Sequence, residues 1–570
     1  LISRLRCSSL PSAALLGAFA LSLYLLTGSS DLLHNGDTDL RVQTAQAIVE
    51  HHRLWLDHPQ FTDDRVARGL GGHLYAFYAP GQSILMLPLY IVGKAIAHHL
   101  NLPYRETEFY AARSLDLFLG AALAIVFFLF ALSAGFRQRV AAALTLLFVA
   151  GSVAWPDAQS ALEQTQVNLF LLIGVIGVWQ FLREVPSLRR WLLLAGLGVG
   201  LAAFTRYDAL LYVPLFAILI VLGRRPFSGR EIGANLLAFG AGLVPWIALV
   251  ALWNIARFGS PFLTGLHEDT LGNPVGLGVL ELTVSPGKGL IWYLPLLLAL
   301  PWAVVPFFRR VPRLGWVCAA MVLLPLLFYA SIRYWHGDPA WGPRYLYVAV
   351  PYLFLPLGEI LSRWRSYRPS FRAGFVVVTT LSIAVQVAAV SVTEWRFWYR
   401  LQVMQQQSAN TNLWEGKPFR WGAQYYHYYW TLDQSPVVVQ FENVYQVVSL
   451  LAGNESYRVS GHPDPFVSGT TAVIYPLNSL AFWWDDPLHP LLGPHTRDAL
   501  AVLLALSAGL SLLALLRGSA SGETASVSSR APTSHAALTG TQSSPHPGLA
   551  AVGRGRDGAG RRVTRDPGAG

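Results

Sequence analysis

Apolar runs long enough to cross a bilayer recur from one end of this 570-residue chain to the other. A span needs ~20 consecutive, mostly apolar residues. Inside lipid, only helices and closed barrels satisfy every backbone N–H and C=O. The chain is therefore expected to be an α-helical polytopic membrane protein. Composition agrees where it discriminates: 13% of the residues are charged, against about 25% in soluble domains. The net charge of +10 is no nucleic-acid footprint, because the basic residues sit in short loops between spans. Cys7 and Cys318, the two cysteines, fall in or beside apolar segments, so neither a disulfide framework nor a Cys-based metal site is expected.

Twelve spans are expected, at about 11–28, 109–133, 139–155, 166–183, 190–205, 207–222, 233–255, 289–307, 314–332, 344–361, 373–391 and 498–516. The first follows Arg4 and Arg6 without a convincing cleavage site and reads as an uncleaved helix with its N-terminus inside. The connections 135–139, 183–190, 223–230, 309–313 and 363–372 are short and basic. The positive-inside rule places all five in the cytoplasm. That parity holds only if the apolar stretch Ala76 to Ala97 does not cross. Pro80, Gly81, Pro88, Gly93 and Lys94 interrupt or mark it, so it reads as a juxtamembrane helix at the outer interface. External loops then run over 29–108, 156–165, 256–288 and 333–343. A small aromatic-rich external domain follows at 392–497, then the last span at 498–516. The tail 517–570, rich in Ser, Gly, Ala and Thr, reads as disordered and cytoplasmic.

The residues able to carry chemistry crowd the external side. Gly36-Asp37-Thr38-Asp39-Leu40-Arg41 opens the first external loop, where carboxylates at a bilayer edge are costly and rarely needed for packing. Asp37 is the candidate base. Asp39 is a supporting acid or a helix cap. Glu163 stands where a span begins and serves an acceptor, a metal or the helix end. Arg206, in the hairpin Thr205-Arg206-Tyr207-Asp208, pairs with Asp208 or grips a phosphate. Lys288 sits in Ser285-Pro-Gly-Lys-Gly289, whose glycines let backbone N–H groups approach an anion. His267, Glu268 and Asp269 form a weak metal signal. Arg344 begins a span from the outside, against positive-inside logic, which suggests an anionic partner or interfacial snorkelling. The Trp- and Tyr-rich run 421–430 fits sugar stacking or an interfacial belt.

This pattern resembles the membrane-embedded glycosyltransferases of the GT-C fold, particularly the protein O-mannosyltransferase and aminoarabinose transferase branch. The similarity covers roughly residues 10–390 as architecture and a few points as motifs. The resemblance implies that Asp37, shortly after the first span, is the catalytic carboxylate, and that 76–97 is the non-crossing juxtamembrane helix. It implies that Glu163 is the acid of the second external loop and Arg206 the basic residue of the hairpin. It also offers His267 as a ligand for a divalent metal, which some members bind. The chain departs from the family at Tyr78-Ala-Pro80-Gly81, which lacks an acidic or His-Pro-Pro opening. The expected function is transfer of a sugar from a polyprenyl-phosphate donor to an envelope acceptor, a glycan, lipid or protein, with inversion at the anomeric carbon. Asp37 would act as base, and Arg206, Lys288 and Arg344 would hold the donor phosphate. A transporter or flippase of a lipid-linked or anionic solute is the alternative. It would call for internal repeats and mid-span ionisable residues, and the sequence offers little of either. A binding scaffold built on 392–497 is the third reading. The expected location is the plasma membrane, with both termini cytoplasmic and the active site on the external face.

Overall fold

The computed structural model describes residues 9–29, 36–57, 59, 65–183, 189–223, 228–266, 271–337, 340–398, 400, 429–459, 477–485 and 493–528. Helix α1 (Ser9–Leu26) is followed by α2 (Gly36–His51) and a two-stranded antiparallel hairpin, β1 (Val66–Arg68) with β2 (Leu74–Ala76). Then come α3 (Pro80–Leu100), α4 (Tyr104–Arg113), α5 (Leu115–Ser133), α6 (Gln138–Gly151), α7 (Ala154–Gln159), α8 (Gln164–Arg183), α9 (Arg190–Thr205), α10 (Tyr212–Leu222) and α11 (Gly229–Phe258). The later half holds α12 (Val275–Thr283), α13 (Leu290–Tyr293), α14 (Leu300–Arg310), α15 (Pro312–Ala330), α16 (Val350–Phe354), α17 (Gly358–Ser362) and α18 (Pro369–Ser391). Helices α19 (Pro436–Leu451) and α20 (Pro494–Ser528) close the described chain.

Each expected span coincides with helix, and the multi-pass reading stands. Among the described residues, nine helical stretches are long and apolar enough to cross a membrane. One is α3, so length and apolarity do not separate it from the spans. The span expected at 289–307 is broken into α13, a 3-10 turn at Pro295–Ala299 and α14. Proline explains the break: Pro295 opens the turn and Pro301 opens α14, each removing one backbone donor.

Local signals set the other boundaries. Ser228 and Glu231 form a reciprocal capping box at the start of α11, and Gly259 ends that helix at φ 77°, where a side chain would be strained. Without a strong hydrophobic drive between helices in lipid, small residues permit close approach. A Cβ on Gly196 of α9 would lie 1.9 Å from the Phe239 carbonyl of α11, and one on Gly242 would lie 2.2 Å from the Leu193 carbonyl. Helices α8, α9 and α11 therefore form one tight slab.

The spans run between two charged ends. Helix α5 leads from beside Arg113 to Ser133, α8 leads from beside Glu163 to Arg183, and the segment 344–362 leads from Arg344 to Glu359. At one end Trp179 and Arg183 donate to the Ser133 carbonyl. Arg310 there pairs with Glu359 and donates to the Ala134 carbonyl. This is the end that carries the short basic connections. The candidate site lies at the other.

Candidate active site

Helix α2 presents both sequence-predicted aspartates in its first turn, where the helix dipole favours negative charge. Their surroundings differ. Asp39 is buried and ion-paired with buried Arg113 at the end of α4, so it ties α2 to the spans. Asp37 keeps 22% of its side chain exposed. Its Oδ1 accepts from the Tyr78 hydroxyl at 2.8 Å and lies 3.1 Å from Arg65 Nε. Its Oδ2 lies 3.7 Å from Arg344 Nη1. Burial pushes the Asp37 carboxyl up, but Arg65, Arg344 and Arg41, with the Tyr78 hydrogen bond, outweigh it and hold the group down at about 2.

The second external connection supplies Glu163. Ala161 just before it adopts φ 54°, an uncommon conformation for a residue with a side chain. Two hydrogen bonds to its carbonyl accompany it: Thr38 Oγ1 donates at 2.7 Å and Gln82 Nε2 at 2.9 Å. Glu163 is buried between two guanidiniums, Arg41 at 2.7 Å and Arg206 at 3.1 Å. Burial raises its carboxyl, while Arg41, Arg206 and Arg344 together lower it below the usual range. Arg206 also holds Asp208 through Nε at 2.8 Å, and Asp208 accepts from the Tyr329 hydroxyl at 2.6 Å. Gly81 permits this assembly, because a Cβ there would lie 2.6 Å from the Thr205 backbone beside Arg206.

Aromatic faces back the cations. Arg41 stacks over Tyr78 at 3.9 Å, and Arg206 and Arg344 lie 5.0 and 5.2 Å from the Tyr345 ring centre. Arg41 Nη1 and Arg344 Nε are buried with no hydrogen-bond partner among the described residues. An unpaired buried N–H on a cation is costly.

The structure thus brings together Asp37, Glu163, Arg206 and Arg344, with Asp39 bracing them from behind. Lys288 is placed differently. It is buried, and its Nζ donates to the Ala340 and Gly342 carbonyls at 2.7 and 3.1 Å, holding the loop that leads into Arg344. His267, Glu268 and Asp269 lie outside the described residues. Among the described residues no group of three or more His, Cys, Asp or Glu side chains is arranged to hold a metal ion. The Asp37 oxygens already face guanidiniums, a poor setting for a divalent cation. Sequence reasoning did not single out Arg65, Arg113 or Tyr329. Arg113 carries the same signal as Arg344, an arginine at the end of a span away from the short basic connections. Arg65 precedes a short strand in a polar loop and carries none.

Residues 86–252 match the family model for dolichyl-phosphate-mannose-protein mannosyltransferase. That match bears out the resemblance read from the sequence. It contains Arg113, Glu163, Arg206 and Asp208, while Asp37 lies upstream of it. No curated protein matches the chain. Among solved structures, the Archaeoglobus fulgidus oligosaccharyltransferase in the apo form is similar at 12% identity and TM-score 0.47, covering 74% of this chain and 60% of that one. ArnT from Cupriavidus metallidurans in the apo state is similar at 14% identity and TM-score 0.43, covering 69% of each chain. The same ArnT bound to undecaprenyl phosphate gives 14% and 0.41, covering 77% of this chain and 71% of that one. The chain thus spans about three fifths of the oligosaccharyltransferase.

Proposed function

We propose that this protein is a membrane glycosyltransferase that moves a sugar, a hexose or a pentose, from a polyprenyl-phosphate donor to the hydroxyl of a glycan, lipid or protein acceptor. The observation that carries the reading is the pair of unspent, buried guanidinium donors on Arg41 and Arg344 beside the partly exposed Asp37 carboxylate. A phosphate oxygen would satisfy those donors. Arg206, already shared between Glu163 and Asp208, adds charge behind them. Lys288 serves by fixing the loop before Arg344.

In the proposed reaction the acceptor oxygen attacks the anomeric carbon from the face opposite the phosphate, and the configuration inverts. The bond from that carbon to the phosphate oxygen breaks, and its electron pair stays on the phosphate. Preorganised guanidiniums stabilise that developing charge. Asp37 takes the proton of the attacking hydroxyl. A carboxyl held at about 2 is a weak base, which makes donor binding part of the chemistry. Arg344 has the longest of the three contacts to Asp37, at 3.7 Å. A phosphate drawing Arg344 away leaves the carboxylate more basic at the moment it is needed.

The sidedness belongs to the same proposal. The basic connections 135–139, 183–190, 309–313 and 363–372 assign their end to the cytoplasm, so the Asp37 end faces outward, with α3 along the outer surface and 392–497 external. The test is sugar transfer by purified full-length protein from a panel of polyprenyl-phosphate sugars, beside Asp37→Asn. Wild type is expected to consume one donor, and the variant to lose turnover at least a thousandfold while remaining monodisperse. Turnover near wild type in Asp37→Asn removes Asp37 as the base.

A further inference from the structure

The far end of α2 holds a polar cleft of about 630 Å³, between α2, α3 and α4. Gln43, Gln46 and Glu50 line it from α2, six, nine and thirteen residues beyond Asp37. At 1.5 Å per residue these positions lie ~9 to ~20 Å along the helix axis from the candidate base. Lys94, Arg105 and Glu108 complete the charged lining, with Tyr104 and Phe109 as its aromatic part.

Two carboxylates and two cations leave this lining without net charge, and the charges are spent on one another or on neighbours. Lys94 Nζ binds Glu50 Oε1 at 3.0 Å, and Gln46 Nε2 donates to Glu50 Oε2 at 3.2 Å. The Tyr90 hydroxyl sits between Glu50 Oε1 at 2.8 Å and Glu108 Oε2 at 2.7 Å. Arg105 lies over Phe109 at 5.6 Å. A charged ligand would have to compete with the Lys94–Glu50 pair. Gln43 Nε2 is buried without a hydrogen-bond partner among the described residues, and the Tyr104 ring is half exposed, with its hydroxyl 3.0 Å from His98 Nδ1. An unpaired planar amide beside an open aromatic face suits an uncharged sugar.

We infer that this cleft is a subsite for a neutral saccharide portion of the acceptor, distant from the hydroxyl that reacts at Asp37. The inference rests on the glycosyltransferase reading for its purpose and on the cleft alone for its chemistry. The test is binding of the full-length protein in detergent to an array of short neutral, acidic and phosphorylated oligosaccharides, with phosphatidylethanolamine vesicles as a headgroup control. Wild type and Asp37→Asn are expected to bind at least one neutral oligosaccharide equally. Gln43→Ala with Gln46→Ala should weaken that binding about tenfold. Tyr104→Ala, a change at an exposed ring that leaves folding intact, should weaken it severalfold. Binding confined to acidic glycans or to vesicles overturns the inference, as does neutral binding that neither variant moves. Donor turnover on the same samples separates the two readings: turnover without glycan binding overturns the subsite alone, whereas variant-sensitive glycan binding without turnover supports the subsite and removes the transferase.

Discussion

Two clusters of buried charge cap opposite ends of the same spans, and they are built to different rules. At the end carrying the short basic connections, Glu359 is 2% exposed and meets Arg310 through one oxygen and Arg363 through the other. Arg310 lies over the rings of Phe136 and Phe307 and donates to the Ala134 carbonyl. Each carboxylate oxygen has its cation, and the result is a clasp. At the other end five arginines, Arg41, Arg65, Arg113, Arg206 and Arg344, face four carboxylates, Asp37, Asp39, Glu163 and Asp208. That set carries one cation in excess, an unspent donor on each of Arg41 and Arg344, and one partly exposed acid. Both clusters required desolvation. Only the second leaves part of its hydrogen-bonding capacity open, which is the physical difference between a brace and a site.

Matched substitutions break that comparison most sharply. Arg344→Gln should lower kcat/KM for the donor by roughly a hundredfold or more, the scale of losing one preorganised donor to a developing charge, while the folded protein keeps its thermal midpoint within a few degrees. Arg310→Gln should do the reverse. Arg310 is partly exposed and Glu359 keeps Arg363, so the loss should fall short of the ~3–5 kcal/mol of a fully buried pair; the midpoint should still drop, and turnover per folded molecule should stay near wild type. Steady-state kinetics and thermal unfolding on both variants decide this. Equal kinetic losses in the two would end the distinction between clasp and site.

A smaller effect sharpens the account of Asp37. Arg65 is the strongest of the cations that lower its carboxyl against the upward push of burial, and it is not assigned to the phosphate. With the carboxyl at about 2, the wild-type kcat/KM should stay level down the ordinary acidic range. Removing Arg65 raises the pKa, so more Asp37 is protonated at any given acidic pH. Arg65→Gln should therefore move the acid limb of the pH profile upward by about one unit. A limb that stays in place would detach Arg65 from the base.

The order in which these residues could be found from sequence follows from what lipid makes expensive. Span positions were legible because a bilayer demands long apolar runs. Asp37, Glu163, Arg206 and Arg344 were legible because charge at a span's outer end needs a reason. Arg113 answers to the same argument. Arg65 does not, since an arginine in a polar loop is ordinary and only tertiary structure carries it to Asp37. Lys288 shows the limit from the other side. Its neighbouring glycines suggested an anion, whereas its Nζ meets carbonyls 52 and 54 residues onward, a pairing that no local pattern encodes.

The last expected effect concerns Asp157 in α7, which lies beside Glu163 but takes part in none of the ion pairs of the two clusters. Burial pushes its carboxyl up. Thr165 donates to it at 3.0 Å and opposes that shift, while nearby Glu163 adds to it, and the group settles at about 8. The folded protein therefore holds a proton on Asp157 through neutral pH, where the unfolded chain with an ordinary carboxylate has released it. With the folded state binding more protons, stability falls as pH rises from about 4 to about 8, by up to ~1.4 kcal/mol per pH unit. Asp157→Asn keeps the shape, and its side-chain oxygen still accepts from Thr165. It should flatten the fall in thermal midpoint between pH 5 and pH 8 without lowering the midpoint at pH 5. Asp37→Asn removes a carboxyl held low instead of high. It should leave that slope in place, because a group ionised in both states above pH 5 contributes nothing to it. A wild-type midpoint that does not fall with pH over this interval would mean that Asp157 is ionised in the folded protein, and Glu163 would then have a second buried charge for a neighbour.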